Sequence, residues 1–289
     1  MNGDLMNKLH NAYAEFSKGQ KAIARYMIEH YDKAAFMTAN RLGEVVGVSE
    51  STVVRFAVKL GYEGYPELQK ALQDMIRNRL TSVQRLEVTT DMIGQQNILQ
   101  TVMQDDMEKI SLTLSEMNNE AFEWAVDELM HAKRIYIMGV RSAGALASFM
   151  GFYFNLLFDN VRVVNENTVS DVFEQILRVE KGDVVVGISF PRYSRRTIKA
   201  LQYAKNQNAS VIAITDSMLS PITKYASCSL FAKSDMASFV DSLVAPLSLI
   251  NALIVAIGVR QKTSIADTFT KLESIWDEYG VYEKSDSEE

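Results

Sequence analysis

The chain has 289 residues, of which 47% are hydrophobic and 23% charged, so it is long enough for two globular domains with buried cores. Its net charge of −6 excludes a uniformly basic nucleic-acid-binding protein. The charge is uneven, however: residues 1–80 hold 11 Lys and Arg against 9 Asp and Glu, net +2, which leaves 19 against 27, net −8, for the remainder. The single cysteine, Cys228, excludes an internal disulfide and a thiolate metal cage.

The sequence predicts neither a signal peptide nor a membrane-spanning helix. The first ten residues, MNGDLMNKLH, lack the apolar core of a signal peptide. The most apolar stretch, Leu243 to Val259, is shorter than the roughly 20 residues that span a bilayer and contains Pro246, Ser248 and Asn251. We therefore expect this stretch to form a buried helix or a subunit-interface helix in a cytoplasmic protein. We expect the protein to bind neither a cofactor nor a metal ion.

The first functional pattern lies between Ala39 and Leu60, which reads as two short helices joined by a tight turn. Gly47 suits the left-handed position that ends the first helix, and Gly43 is small where two crossing helices approach closely. Ser49 precedes an apolar periodic run and is the expected N-cap of the second helix. The inward stripe of that helix falls at the spacing i, i+3, i+4, i+7 and comprises Val53, Phe56, Ala57 and Leu60.

The outward face of the second helix carries hydroxyls followed by cations. Ser51, Arg55 and Lys59 recur at i, i+4, i+8, and Thr52 lies beside them. In a helix-turn-helix the start of the second helix meets base edges in the major groove, and cations further along reach phosphates. The predicted DNA-binding residues are Ser49, Ser51, Thr52, Arg55 and Lys59. An ordinary helical hairpin is the structural alternative.

The flanking segments complete an N-terminal all-α domain, residues 1–80. Leu5 to Tyr31 holds two amphipathic segments, the second opened by Ser17 or Gly19, and a further helix is expected to begin near Pro66. Residues 81–97 lose strong periodicity and are predicted to be a linker. The acidic residues 281–289 are predicted to be a disordered tail.

Residues 98–280 show a different pattern, in which helical and β-rich segments alternate. Two amphipathic helices, about 98–117 and 120–131, precede the run RIYIMG, and similar apolar runs recur as VRVVN, DVVVGIS, SVIAIT and CSLF. Such alternation predicts a parallel sheet with helices on both faces, an α/β domain. Ligands of these sheets bind at the carboxyl ends of the strands.

Two loops at predicted strand ends are rich in hydroxyls and cations. The first, after RIYIM, contains Arg141 and Ser142. The second, after DVVVGI, contains Ser189, Arg192, Ser194 and Thr197, together with Arg195 and Arg196. Hydroxyls, arginines and the N–H groups that open a helix are the parts of a phosphate site. Serines that merely cap the helix are the alternative interpretation.

The order of these two domains resembles the RpiR family of transcription regulators. The N-terminal resemblance rests on VGVSESTVVRFAVKLGYEGYPELQKAL, and the C-terminal resemblance, to the sugar isomerase (SIS) domain, on GISFPRYSRRTIKAL and SVIAITDS. The resemblance implies a doubly wound, five-stranded parallel sheet that binds a phosphosugar. It also implies a homodimer or homotetramer that binds a double-stranded DNA operator. The implied phosphosugar contacts are Ser142, Ser189, Ser194 and Thr197.

The chain departs from the family pattern in both loops. Arg141 stands where the first loop usually has its second glycine, and Ala143 stands where it has a serine. In the second loop Pro191 and Arg192 replace the usual Ser-Gly. Arg141 and Arg192 offer bidentate cations in exchange for the lost hydroxyl and backbone donors.

Three functions fit these patterns. The leading prediction is a transcriptional repressor of sugar or amino-sugar metabolism, not an enzyme, that responds to a phosphosugar. The second is a regulator whose SIS domain only dimerises, which the altered loops favour. The third is a phosphosugar aldose-ketose isomerase with Glu166 or Glu174 as base; it is disfavoured because the histidines lie away from the predicted strand ends, at His10, His30 and His131.

Overall fold

The computed structural model describes residues 5, 8–9, 12–76, 81, 83–86, 97–164, 171–234 and 240–282. The chain divides into two compact units, Met1–Asp105 with Met236–Ser242, and Asp106–Asp235 with Leu243–Glu289. Most of the predicted linker and tail lies outside the described residues, which include only 81, 83–86 and 97 of the former and 281–282 of the latter. Within the linker, Arg85 is buried and its Nη1 lies 2.6 Å from Asp241 Oδ1, a contact inside the first unit.

The described part of the first unit is helical. After a 3-10 turn at Tyr13–Glu15, its helices are α1 (Lys18–Glu29), α2 (Tyr31–Ala34), α3 (Ala39–Val46), α4 (Glu50–Lys59) and α5 (Tyr65–Ile76). Ser17 opens α1 with a capping box, because its side chain accepts from Gln20 N and the Gln20 side chain accepts from Ser17 N. The helices enclose one apolar core, whose largest fully buried members are Leu9, Ile23, Met27, Leu42, Phe56, Leu68 and Leu72.

Helix α5 begins at Tyr65, beside the predicted start at Pro66, and its side chains satisfy carbonyl groups of the α2–α3 connection. Tyr65 Oη donates to Met37 O at 2.7 Å, and Gln69 Nε2 donates to the same carbonyl at 2.9 Å. Burial raises the pKa of Tyr65 to about 12, so the phenol remains a donor throughout the neutral range. These hydrogen bonds fix the outer helix of the unit to the chain segment that enters α3.

The second unit is the predicted α/β domain with a doubly wound parallel sheet. Its helices are α6 (Ile98–Ser115, which begins in the first unit), α7 (Asn119–Met130), α8 (Ser142–Leu157), α9 (Val172–Gln175), α10 (Arg195–Asn206), α11 (Val244–Arg260) and α12 (Lys262–Tyr279). Its strands are β1 (Ile135–Gly139), β2 (Val161–Val164), β3 (Val184–Ile188), β4 (Ser210–Thr215) and β5 (Cys228–Phe231). All five pair in parallel, in the order β2-β1-β3-β4-β5. The five strand predictions are confirmed.

Apolar side chains cover both faces of the sheet. One face packs against α7, α8 and α11, with Phe154, Ile212 and Leu253 among the buried residues. The other packs against α9 and α10, with Ile176 and Leu201 buried. Because both faces are covered, β1 and β3 are buried at every position, which explains their continuous apolar runs.

One connection differs from the predicted alternation. Between β4 and β5 the structure has only a 3-10 turn, Thr223–Tyr225, where a full crossover helix was expected. Pro221 has no N–H for a helix interior, and the Thr223 side chain donates to Ser220 O at 2.7 Å, which stabilises the turn.

Helix α11 corresponds to the most apolar stretch of the sequence. Its inner side is buried, for example at Leu249 and Leu253, whereas Val255 and Val259 are 62% and 71% exposed. None of the described helices is by itself long and apolar enough to cross a membrane; α11 and the Ile265–Tyr279 part of α12 reach that length and composition only together, across a bend of 103°.

Candidate functional sites

The turn between α3 and α4 has the geometry that the sequence predicts. Gly47 ends α3 with φ 75°, in the left-handed region. A Cβ atom on Gly43 would lie 2.7 Å from Val48 O, so the turn folds back closely over α3. Val48 N donates to Gly43 O at 2.8 Å across this approach. Both predicted roles of glycine are confirmed.

The two faces of α4 are also as predicted. Val53, Phe56 and Ala57 are fully buried and Leu60 is 6% exposed. On the opposite side Ser51, Arg55 and Lys59 are exposed, and Thr52 is half-buried. The helix therefore presents a polar, cationic surface to solvent.

Ser49 occupies the predicted N-cap position, but the predicted capping hydrogen bond is wrong. The Ser49 side chain accepts no helix N–H group. Its hydroxyl lies 3.0 Å from Ser51 Oγ and 2.9 Å from Thr52 Oγ1 instead. The neighbouring hydroxyls compete successfully with the backbone, and together they form a cluster of three hydroxyls at the exposed start of α4.

The two cations of α4 have different surroundings. Arg55 Nε donates to Ser51 O at 3.1 Å, so the guanidinium lies along the exposed face. Lys59 Nζ donates to Glu15 O at 2.6 Å and lies 5.7 Å from the centre of the Phe16 ring. Lys59 therefore binds the body of its own unit, and must leave that carbonyl before it can reach a phosphate.

Sequence reasoning missed two further residues on the exposed side of α4. Val54 and Val58 are 38% and 54% exposed. Neither falls on the polar stripe, and apolar residues are normally read as core, so periodicity alone gave no reason to choose them. Exposed methyl groups on such a helix are suited to contact thymine methyl groups in the major groove.

In the second unit, the strand register brings the two predicted ligand loops together. Strands β1 and β3 are neighbours, with Gly139 opposite Ile188. The loops 139–144 and 189–197 therefore leave the same edge of the sheet side by side, at the carboxyl ends of the strands.

The first loop turns sharply from β1 into α8. A Cβ atom on Gly139 would lie 2.2 Å from Ala143 O, so only glycine fits there. Arg141 has φ 59° and ψ −124°, the values of the first central residue of a type II′ turn, where glycine dominates. Ser142 begins α8, and the side chain of its N-cap residue, Arg141, does not cap the N-terminal N–H groups of that helix. An uncapped helix start is a favourable place for an anion.

Two hydroxyls of the second loop make no hydrogen bond within the part of the chain that the structure describes. Ser189 is 4% exposed, its carbonyl accepts from Thr215 Oγ1 at 2.7 Å, and its own hydroxyl makes no hydrogen bond to a described residue. Thr197 is fully buried, and its Oγ1 has no partner among the described residues either. A buried hydroxyl without a partner, as at Thr197, costs about 1–3 kcal/mol, a cost that a ligand can remove. The depth of Thr197 means that a ligand reaches it only if the loop moves.

Ser194 and Arg192 complete the second loop. The Ser194 hydroxyl accepts from Arg196 N at 3.2 Å and Thr197 N at 3.4 Å, so it caps α10 and leaves only its hydrogen for a ligand. Arg192 is exposed and has φ 66°. Among the described non-glycine residues with positive φ, two are the arginines that replace glycines of the resembled pattern, Arg141 and Arg192.

The structure adds a buried polar network that the sequence did not reveal. Asp216, which follows β4 and is 3% exposed, accepts from Tyr193 Oη at 2.9 Å, and its Oδ1 lies 3.1 Å from Thr215 Oγ1. Thr215 Oγ1 also lies 2.8 Å from Ser220 Oγ. The network ties the loop after β4 to the loop after β3. Its only signal in the sequence is that Asp216 and Tyr193 each follow a strand.

Candidate catalytic and metal-binding groups do not gather at this edge. His131 Nδ1 lies 2.7 Å from Asp127 O at the end of α7, and His30 ends α1. Glu174 is exposed on α9, while His10 and Glu166 lie outside the described residues. Over the part of the chain that the structure describes, no group of three His, Cys, Asp or Glu is placed to hold a metal ion.

Comparisons with known proteins agree with both domains. The sequence profile of the "Helix-turn-helix domain, rpiR family" matches residues 3–79, and that of the SIS domain matches residues 128–256. An HTH-type transcriptional regulator of Caldanaerobacter subterraneus, called uncharacterized, is 23% identical over 266 residues, 91% of this chain and 93% of its own. A Haemophilus influenzae protein of the same description is 27% identical over 229 residues, 78% of each chain.

Two solved structures share the fold. The sugar isomerase domain of an RpiR transcription factor from Sphaerobacter thermophilus has a TM-score of 0.59 at 27% identity, over 62% of this chain and 99% of that one. The NanR protein of Vibrio vulnificus, solved with ManNAc-6P, has a TM-score of 0.58 at 19% identity, over 95% and 98% of the two chains. With both domains matched in this order, the chain belongs to the RpiR family of transcriptional regulators.

Proposed function

We propose that this protein represses genes of sugar or amino-sugar metabolism and that a phosphosugar bound at loops 139–144 and 189–197 controls its DNA binding. The observation that carries the proposal is the meeting, at one sheet edge, of a helix start that the Arg141 side chain does not cap, a Ser189 hydroxyl without a hydrogen bond to a described residue, and the cations Arg141 and Arg192. Each of these features favours an anion.

On the DNA side, the exposed face of α4 is the reading surface. The hydroxyl cluster of Ser49, Ser51 and Thr52 meets base edges at the start of the helix, and Arg55 follows it one turn later. Lys59 contacts a phosphate after it leaves Glu15 O. In this scheme the protein is a homodimer or homotetramer, and the DNA-binding first units, or heads, of two subunits bind two operator half-sites.

On the ligand side, the phosphate lies at the start of α8 and is bound by Ser142, Ser189 and the Ser194 hydroxyl hydrogen, with Arg141 and Arg192 at the mouth. Thr197 joins when the loop adjusts. The complex of Vibrio vulnificus NanR with ManNAc-6P supports an amino-sugar phosphate as the class of ligand. Control follows if the ligand prefers one arrangement of the oligomer, because a ligand shifts only an equilibrium between states that it binds unequally.

A thermal-denaturation screen tests the ligand assignment. The protein is melted with a panel of sugar phosphates, with each unphosphorylated sugar, and with inorganic phosphate. A ligand present at 100 times its dissociation constant adds about 2.7 kcal/mol to the free energy of unfolding. We expect one phosphosugar to stabilise the second unit, its parent sugar to have no effect, and Ser189→Ala to lose the response.

A second candidate function is a regulator whose SIS domain only dimerises. Arg141, Ala143 and Pro191, which stand where the family pattern has ligand-binding groups, favour it. In that case no sugar phosphate shifts the melting curve, and the DNA affinity stays the same when any of them is added. The isomerase alternative is disfavoured by the positions of His30 and His131 and by the regulator names of the relatives.

A further inference from the structure

A separate cationic pocket lies where the strands begin, at the end of the sheet opposite the ligand loops. It has a volume of about 260 Å³ and lies at the amino ends of β1 and β2. Its polar lining comprises Arg134, Tyr136, Asp159, Asn160, Arg162 and Arg178. The described function uses none of these residues.

The strand register and the neighbouring helix assemble this group. Tyr136 on β1 lies opposite Arg162 on β2, so their side chains project from the same face of the sheet. Arg162 Nη1 donates to Gln175 O at 3.0 Å, which holds the guanidinium against the end of α9. Arg178 follows α9 and contributes the third arginine of the lining.

The three arginines are not equivalent. Arg134 Nη2 lies 2.9 Å from Asp183 Oδ2 and 2.9 Å from Glu180 Oε1, so acidic neighbours neutralise its charge. Arg162 and Arg178 form no ion pair with any described residue, although the Asp159 carboxylate lines the same pocket. Over the described ranges, these two guanidinium groups therefore have no carboxylate within salt-bridge distance.

Tyr136 supplies a neutral donor between these cations. The residue is 3% exposed, and its hydroxyl makes no hydrogen bond to a described residue. Burial, together with the nearby Asp183 carboxylate, raises the pKa of Tyr136 more than Arg134, Arg162 and Arg178 lower it, so the phenol keeps its proton. A protonated hydroxyl that lines the pocket beside two arginines without an ion pair to a described residue is suited to an acceptor with several oxygen atoms.

We propose that Arg162, Arg178 and the Tyr136 hydroxyl bind a small oxyanion in this pocket, the phosphate or carboxylate group of a small molecule. The volume is slightly below the range of about 300–1,000 Å³ typical of pockets for drug-sized ligands, so a small anionic ligand is the appropriate size. The site is independent of the phosphosugar site, because it lies at the other edge of the sheet.

Calorimetric titration of the full chain with inorganic phosphate, and separately with citrate, tests this proposal and identifies the preferred group. Arg178→Gln is the cleanest variant, since it breaks no hydrogen bond to a described residue. We expect it to weaken binding at least about tenfold, the effect of losing one charged hydrogen bond. Tyr136→Phe should weaken binding similarly, whereas Asp159→Asn, which removes the opposing charge, should strengthen it.

Ser189→Ala is the matched control that separates the two sites. If phosphate also binds at the ligand loops, Ser189→Ala weakens that binding and leaves the component sensitive to Arg178→Gln unchanged. The proposal survives even if Ser189→Ala has no effect, which would count against the phosphosugar site alone. Identical isotherms for the parent and for Arg162→Gln/Arg178→Gln, with both anions, would overturn it.

Discussion

At the scale of single residues, Arg141 and Arg192 are the unusual feature of this protein. Both adopt positive φ, at 59° and 66°, where the resembled family pattern has glycine. Non-glycine residues in such regions cost about 1–3 kcal/mol each and persist only where something compensates. For Arg141 we propose that the compensation is a bound anion, which its side chain can bind through two N–H groups.

Arg141→Gly separates strain from binding. Relief of about 1–3 kcal/mol of strain exceeds the roughly 0.4–1 kcal/mol that glycine costs through the unfolded chain, so the free energy of unfolding should rise while phosphosugar affinity falls. Differential scanning calorimetry with and without ligand measures both effects. Arg195→Ala, which removes a nearby cation without positive φ, should not stabilise. A destabilised Arg141→Gly protein would refute the assignment of strain.

Arg55→Ala tests the reading surface of α4. If Arg55 contacts a base, operator affinity should fall by about 1–3 kcal/mol with relaxed preference at one position; if it contacts a phosphate, all sequences should weaken alike and the salt slope should fall by about one. Fluorescence anisotropy at two salt concentrations distinguishes these outcomes. Lys33→Ala, an exposed cation of α2, is the control. Equal affinity of Arg55→Ala and parent would contradict the assignment.

At the scale of elements, the structural features that depend on local periodicity and turn chemistry could be predicted from the sequence. The five strands, the buried stripe of α4 and the roles of Gly43 and Gly47 were all predictable because each depends on neighbours close in sequence. The partner of the Ser49 hydroxyl, the contact of Lys59 with Glu15 and the Tyr193–Asp216 hydrogen bond were not, because several acceptors compete and tertiary packing selects among them.

Gly43→Ala tests the close approach of α3 and the turn. The new Cβ would lie 2.7 Å from Val48 O, and overpacking of this kind costs about 1–3 kcal/mol. We expect the first unit to melt at lower temperature and DNA binding to weaken, while the second unit melts unchanged. Gly47→Asn is the control, because asparagine tolerates the left-handed conformation. Normal stability of Gly43→Ala would show that the turn can move aside.

At the scale of the whole molecule, the two units differ in what they leave exposed. In the second unit, Met107 and Leu114 on α6 are 68% and 76% exposed, and Val255 and Val259 on α11 are similarly open. We infer from these exposed apolar side chains on α6 and α11 that the second unit makes a protein–protein contact. The sequence indicated oligomerisation only through its family resemblance, because an apolar helix is equally consistent with a monomer core.

Residues 98–289 alone should therefore form a stable oligomer, whereas residues 1–80 should fold but bind DNA weakly. When two heads are linked, binding of the first raises the effective concentration of the second at its half-site, so the pair has a higher affinity for DNA than one head. Light scattering gives the mass of the first fragment, and anisotropy gives the DNA affinity of the second. The prediction would be contradicted if fragment 98–289 were monomeric, or if fragment 1–80 bound DNA as tightly as the full chain.

The central claim is that a phosphosugar at the Ser189 loop controls DNA binding, and one titration tests it most directly. The operator is first selected from a random duplex library, and a stabilising sugar phosphate is then titrated into the protein–DNA complex while anisotropy is recorded. Ser189→Ala should bind DNA like the parent but respond at about one to two decades higher ligand concentration, the effect of losing a charged hydrogen bond of about 1.5–3 kcal/mol. Identical midpoints for parent and Ser189→Ala would contradict the account.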